Sequence, residues 1–286
     1  MKFDVIAMNP PYNPNSLWSK FVKKVIDQLE DDGQMVAIHP MTWRESSKHK
    51  KLCNHLKEHI SELHIMDYTA FPNITIKTDW YLYNKNGSNN TYMTYSNGDT
   101  ENINLKSIDK ILRFSTKSIP YTILKKITKE DYNNGVIFKT TGFNALTHKS
   151  NGIYKQCGGK GNGTGWTKGK FVLTNKPTEH QFEDKTVISY CGKPRAQYFS
   201  KEDKIGVGTG IYWLTNNKSL PILLNSKMFW KIVGIEIAYW HAGDPTALNT
   251  NILRSLNFEN LDVKTEEELY EHYNLTEEEI NWIENN

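Results

Sequence analysis

The hydrophobic pattern along the first third of the chain changes period several times. Phe3 to Met8 is a short apolar run that predicts a buried strand. Leu17, Phe21, Val22, Val25, Ile26 and Leu29 then recur at helical spacing, and Asp32-Gly33 supplies a stop. Met35 to Ile38 predicts a second buried strand. A polar helix follows through Lys57, then strands at Leu63 to Met66 and at Trp80 to Tyr83. Strands alternating with helices of this length predict an α/β fold, a parallel sheet with helices on its faces.

Beyond about residue 120 the segments become short, glycine-punctuated and β-branched or aromatic, as in "KFVLTN", "TVISYC" and "GIYWLTN". This predicts a second, mixed β-rich domain, with one buried helix from Leu220 to Val233. The tail "KTEEELYEHYNLTEEEINWIENN" reads as two short helices, the second opened by the capping pattern Thr276 to Glu279. The expected division is 1–118, 119–262 and an acidic helical tail at 263–286. No internal repeat is evident.

Composition narrows the class. At 286 residues the chain is long enough for a sizeable core. Cys53, Cys157 and Cys191 form no CxxC pair, which argues for a reducing compartment and against a zinc knuckle. No apolar stretch is long enough to span a bilayer, so a soluble, cytoplasmic protein without a membrane partner is expected. The net charge of +3 hides an asymmetry. Between Asp131 and Glu179 no acidic residue occurs, while Lys139, Lys149, Lys155, Lys160, Lys168, Lys170 and Lys176 fall there among Phe143, Tyr154 and Trp166. That is the footprint of a polyanion-binding surface, although a solvated lysine-rich face would carry the same charges.

The most constrained stretch is "FDVIAMNPPYN", residues 3 to 13. In an open α/β sheet, ligands bind outside the carboxyl ends of the strands, where Asn9-Pro10-Pro11-Tyr12 would lie. The prolines fix φ and restrict the residue before each, so the carbonyls of Asn9 and Pro10 are held in place. Asn9 adds a side-chain acceptor. Tyr12 offers a flat face for stacking on a base, worth about 1–3 kcal/mol. Two fixed acceptors and an aromatic plate suit a planar ring with an exocyclic amino group. Drawing the lone pair of that nitrogen out of conjugation makes it nucleophilic without a strong base.

This stretch resembles motif IV of the S-adenosylmethionine-dependent N6-adenine DNA methyltransferases. "SLWSKFVKKVIDQLEDDGQMVAIHPMTWRES" is similar to the helix and strand that follow in the TaqI-like and Eco57I-like group, where the strand ends in Pro-x-x-Trp. "MDYTAFPNITIKTDWYLYNKN" is similar to motif VIII. "GVGTGIYWLTN", "LPILLNSKMFWKIV" and "LRSLNFENL" are similar, more loosely, to the downstream target-recognition region. The resemblance implies a partial Rossmann-like methyltransferase sheet followed by a target-recognition domain. It implies that Asn9 and the Pro10 carbonyl accept hydrogen bonds from the adenine amino group, that Tyr12 stacks on a base flipped out of double-stranded DNA, that Pro11 shapes the loop, and that Phe71 holds the base from its other side.

S-adenosylmethionine is the cofactor the resemblance implies, yet its glycine-rich turn is not found. In that family the turn precedes the NPPY loop, and here only eight residues precede Asn9. "GVGTGIYW" (206–213) leads into β-like residues, and "GGKGNGTGW" (158–166) follows no buried strand; neither opens a helix as such a turn requires. A second polypeptide supplying the cofactor-binding half is therefore a candidate partner. The alternatives are a non-catalytic DNA-binding or decoy protein and a protein glutamine methyltransferase, the latter disfavoured by the basic segment. His39, His49, His55, His59 and His64 come with no HExxH pattern, and no metal site is expected. "HAGDPTALNTN" (241–251) reads as a turn whose His241, Asp244 and Asn249 could also touch DNA.

If the basic segment contacts phosphates, replacing Lys155, Lys160, Lys168 and Lys170 by Ala weakens binding to all duplex sequences about equally. The slope of log affinity against log salt falls by about 0.9 for each phosphate that is no longer neutralised. A gel-shift titration in which the variant binds unchanged identifies a merely solvated face.

Overall fold

The computed structural model describes residues 1–11, 17–45, 49–66, 78–108, 111–112, 114–129, 132–139, 151–157, 171–178, 180–188, 196–208, 210–237 and 250–285. They fall into two compact units, the first formed by Met1–Thr116 and the second by the described residues from Lys117 onward.

The first unit alternates β1 (Phe3–Met8), α1 (Leu17–Gln28), β2 (Leu29–Pro40), a 3-10 turn (Met41–Glu45), α2 (Lys50–His59), β3 (Ile60–Ile65) and β4 (Thr78–Asn84), and adds β5 (Thr91–Thr94) and β6 (Thr100–Ile103). They form one sheet in the order β1-β2-β4-β3-β5-β6. β1 runs parallel to β2, and β4 lies antiparallel between β2 and β3. Hence β1, β2 and β3 share one direction, as the strand–helix alternation predicts. β4 departs from the expected parallel sheet, so the architecture is mixed α/β. Its alternation of Trp80 and Leu82 with Tyr81 and Tyr83 specifies two faces and carries no information on direction. In this position it is paired on both edges, to Gln34–Pro40 on one side and Ile60–Ile65 on the other.

One face of this sheet carries the core. Met35, Ala37 and His39 of β2, Leu63 and Ile65 of β3, and Tyr81 and Tyr83 of β4 are buried together with Trp18 and Val22 of α1 and Leu52, Cys53 and Leu56 of α2. The expected helix cover on both faces is not seen among the described residues. On the other face Val36, Ile38, Trp80 and Leu82 are only half-buried, and His64 stacks on Trp80 with ring centroids 3.6 Å apart. Among the described residues β1 pairs on one side only, and Phe3 is 41% and Val5 62% exposed.

The helix predicted to run as far as Asp32-Gly33 stops at Gln28. Leu29 is already extended and pairs with Phe3, after which the register jumps to Val5 opposite Gln34. Gly33 sits in that irregularity, where an added Cβ would lie 3.0 Å from the Glu30 backbone.

The second unit begins with α3 (Ile119–Ile127) and continues through seven short strands: β7 (Val136–Lys139), β8 (Tyr154–Cys157), β9 (Val172–Thr174), β10 (Lys185–Ile188), β11 (Gln197–Phe199), β12 (Ile205–Val207) and β13 (Gly210–Leu214). Two sheets result, β11-β10-β13-β7 and β12-β8-β9. α4 (Leu220–Asn225), α5 (Lys227–Ile237), α6 (Thr250–Ser255), α7 (Glu266–His272) and α8 (Glu277–Asn285) complete it. The single helix predicted from Leu220 to Val233 is broken at Ser226. That hydroxyl donates to the Leu223 carbonyl at 2.8 Å and accepts from the Phe229 amide at 3.0 Å, so it ends one helix and caps the next.

The acidic tail packs within this unit. Thr276 and Glu279 form the predicted capping box, with Glu279 N to Thr276 Oγ1 at 3.2 Å and Thr276 N to Glu279 Oε2 at 2.8 Å. The Glu279 carboxylate is buried and held by Lys126 and the Thr122 hydroxyl, each at 2.7 Å.

Among the described glycines of the second unit, Gly206 permits the closest approach. Gln181 reaches across it to donate to the carbonyls of Lys155 on β8 and Lys204 beside β12. A Cβ at position 206 would meet Thr178 Oγ1 at 1.6 Å and Gln181 Oε1 at 2.6 Å. Gly206→Ala is therefore expected to destabilise this unit by about 1–3 kcal/mol through overpacking. An unchanged urea midpoint would show that Thr178 and Gln181 reorient freely.

Candidate functional site

Because β1, β2 and β3 run the same way, their carboxyl ends share one edge of the sheet, joined there by the start of β4. Asn9, Pro10 and Pro11 leave β1 at this edge, directly after the Met8–Ala37 pair. Asn9 is exposed, Pro10 buried and Pro11 half-buried. The proline side of the loop is thus anchored while the amide side chain is presented to solvent. Tyr12 and Phe71 lie outside the described residues, as do Lys160, Lys168, Lys170, His241, Asp244 and Asn249. Lys155 is exposed on β8 of the second unit, and Lys176 is exposed after β9.

The floor of the edge is built by residues that sequence reasoning did not single out for function. Asp79, near the start of β4, lies opposite both His39 of β2 and Ile65 of β3. Its carboxylate accepts from Arg44 Nε at 2.7 Å and from Trp43 Nε1 at 3.2 Å, and a second Arg44 nitrogen bonds its other oxygen. Both charged side chains are essentially inaccessible to solvent. Arg44 also reaches the Ile111 carbonyl at 3.4 Å. Burial pushes the Asp79 carboxyl up, and the Arg44 charge and hydrogen bonds draw it back toward ionisation. The Pro40-x-x-Trp43 signal of the sequence is thereby explained. It sets a turn whose Trp43 and Arg44 both bind the start of β4.

His39 is enclosed by aromatic rings. Trp18 meets it edge-on at 4.5 Å between centroids, Tyr81 lies at 6.0 Å and Trp43 at 6.4 Å. Its Nδ1 lies 2.9 Å from the Pro40 carbonyl, which requires that nitrogen to carry the proton and donate. Nε2 then holds a lone pair, and among the described residues it has no hydrogen-bond partner. The hydroxyls of Thr78 and Tyr81 are likewise buried without one. Burial lowers His39 from the ordinary 6.5 to about 4, partly opposed by the Pro40 carbonyl.

A further grouping, without HExxH spacing, gathers ligand-type side chains on one helix. His55, Glu58 and His59 of α2 form H-x-x-E-H and bring a ring nitrogen of each histidine and a Glu58 oxygen within 4.8 Å of one another. Of the glycines of "GVGTG", Gly206 lies in β12, Gly208 in the bend after it and Gly210 at the start of β13; they open no helix, so these described residues do not fit a cofactor-binding turn. "GGKGNGTGW" (158–166) lies outside the described residues.

No known protein family and no curated protein matches this chain. Among solved structures it partly overlaps the M protein of the type I restriction enzyme EcoKI, at 16% identity and TM-score 0.27 over 36% of this chain and 23% of that one. A protein of a type I restriction–modification complex overlaps at 14% identity and TM-score 0.28, over 32% of this chain and 23% of that one. The type IIG restriction endonuclease BpuSI overlaps at 9% identity and TM-score 0.36, over 90% of this chain and 44% of that one. The chain spans less than half the length of each, and overlaps at these scores assign neither fold nor function.

The burial of His39 has a definite pH signature. Its folded pKa lies below its unfolded value, so between pH 6.5 and about 4 the unfolded chain binds a proton that the folded chain refuses. Stability from this group is complete above pH 6.5 and declines as the pH falls to about 4, by on the order of 3 kcal/mol. His39→Gln should flatten that part of a urea-unfolding profile. Superimposable slopes for the two proteins would contradict a buried, neutral His39.

Proposed function

We propose that this chain is the base-binding and recognition part of an S-adenosylmethionine-dependent DNA adenine N6-methyltransferase whose cofactor-binding half lies outside the described residues, a second polypeptide being one source of it. The observation that carries this reading is the Asn9-Pro10-Pro11 segment itself. It follows a strand whose carboxyl end shares an edge with two co-directional strands, with Pro10 buried and the Asn9 amide exposed.

In this reading Asn9 Oδ1 and the Pro10 carbonyl accept the two hydrogens of the adenine amino group. Tyr12 and Phe71 hold the flipped ring from its two sides, and Pro11 shapes the loop between. The cofactor, when bound, supplies an electrophilic methyl group. Because the described residues do not fit a cofactor turn, no transfer step is assigned to this chain alone. The one-sided pairing of β1, with Phe3 and Val5 exposed, supports a partner that adds a strand there. Exposed Lys155 and Lys176 support contact of the second unit with double-stranded DNA. A non-catalytic DNA-binding or decoy protein is the second reading, favoured by the lack of a fitting turn among the described residues.

A duplex carrying 2-aminopurine at the target position should brighten on binding, as the base leaves the stack. Asn9→Ala should reduce affinity for the extruded base while leaving the thermal midpoint unchanged, because Asn9 is exposed. With partner and cofactor supplied, the same variant should lose methylation. Full methylation by Asn9→Ala would reduce the loop to a strand terminator and favour the decoy.

A further inference from the structure

α2 carries His55, Glu58 and His59 at spacings of three and four residues, which align them on one side of the helix. A ring nitrogen of each histidine and a carboxylate oxygen lie within 4.8 Å of one another. We propose that these three side chains bind a transition-metal dication of the zinc type, in a site separate from the carboxyl edge of the sheet and independent of the function proposed above.

Three features of the surroundings favour a cation here. Each histidine has its outer nitrogen engaged: His55 Nε2 lies 2.9 Å from the Tyr83 hydroxyl, and His59 Nδ1 lies 2.9 Å from the Asn84 carbonyl. A carbonyl only accepts, so His59 Nδ1 carries the proton and Nε2 offers its lone pair. If His55 donates in the same sense to Tyr83, its Nδ1 is available as a ligand. Outer bonds of this kind orient metal-binding imidazoles and raise their basicity. Second, Tyr83 fixes the ring planes, stacking on His59 at 5.1 Å and lying tilted to His55 at 5.8 Å. Third, His59 is the last residue of α2, where the helix dipole favours positive charge.

The donor set of two imidazoles and one carboxylate suits zinc, with water completing a tetrahedron. Bonds of about 2.0–2.2 Å would draw the three donor atoms closer than their present span. Exposed Glu58 and the half-buried histidines can make that adjustment by side-chain rotation. The H-x-x-E-H spacing is shared with one class of zinc peptidases. Here the glutamate oxygen itself joins the converging donors, and the outer bonds run to β4. A cation at this point would clamp the last turn of α2 and, through Tyr83 and Asn84, brace it on β4.

The full-length chain, stripped with a chelator and dialysed, is titrated with zinc chloride by calorimetry and with cobalt chloride by absorption. One equivalent should bind, with visible bands of tetrahedral cobalt and a rise in the thermal midpoint. Tyr83→Phe keeps all three ligands and removes one outer bond, so affinity should fall about 10- to 100-fold. Glu58→Gln, at an exposed position, should stay folded and bind more weakly with altered cobalt bands. The His55→Ala/His59→Ala variant should lose the site. Unchanged zinc affinity and cobalt spectra in Glu58→Gln and in the double variant would overturn the proposal, as would the absence of binding to the native chain. These readouts measure cation binding without DNA or cofactor, so their outcome is separable from that of the methyltransferase reading.

Discussion

The buried pair of Arg44 and Asp79 is the constraint on which the first unit depends. β4 must enter the sheet between two strands that already run in one direction, and Asp79 stands at its point of entry. A carboxylate with no solvent access tolerates ionisation only if it is fully bonded, and here Arg44 and Trp43 supply the bonds. Arg44 comes from the turn after β2, so one interaction fixes both the start of β4 and the exit of β2. It also ties in the segment at Ile111. Such a pair adds little net stability over a well-packed apolar substitute, yet removing one partner strands the other as a buried charge. Its value is positional: a slip of β4 along its neighbours would part Asp79 from Arg44, so the edge that presents Asn9 is held in register.

Much of this unit is legible in the sequence, because period and punctuation are local properties. The apolar run Phe3 to Met8 and the prolines after it locate β1 and its exit without any knowledge of the sheet. The helical spacing from Leu17 onward locates α1, although its end does not follow from Asp32-Gly33. Those residues sit in an irregular stretch whose conformation is decided by pairing of Leu29 with Phe3. The direction of β4 is illegible for a related reason: alternation is the same read forwards or backwards. The Arg44–Asp79 pair joins residues far apart in sequence and has no local signature. The H-x-x-E-H spacing can be seen in the chain, but the Tyr83 and Asn84 groups behind it cannot.

Charge patterning misleads in the second unit. The glutamate run of the tail suggests a solvated helix, and most of it is one. Glu279, however, is 4% exposed and bound by Lys126 and Thr122, so one member of the run is a core residue. Lys155 in the basic segment, by contrast, occupies a strand and is exposed there, consistent with the charge counted along the chain. A buried glutamate differs from its exposed neighbours only in its partners, and those come from α3, much earlier in the chain.

The insertion of β4 between β2 and β3 also dictates an order of assembly. When the chain has been made only as far as Ile65, β2 and β3 have no hydrogen-bonded link to each other. Each presents an open edge until Thr78–Asn84 arrives to fill the gap. The sheet therefore closes from within, by a late strand, and loop-closure entropy is spent before its central ladder forms. During synthesis the partly made unit is a pair of unsatisfied templates, the kind of species that recruits other chains. A fragment ending before Asn84 would remain in that condition permanently, so the smallest independently folding piece of this unit extends through β4.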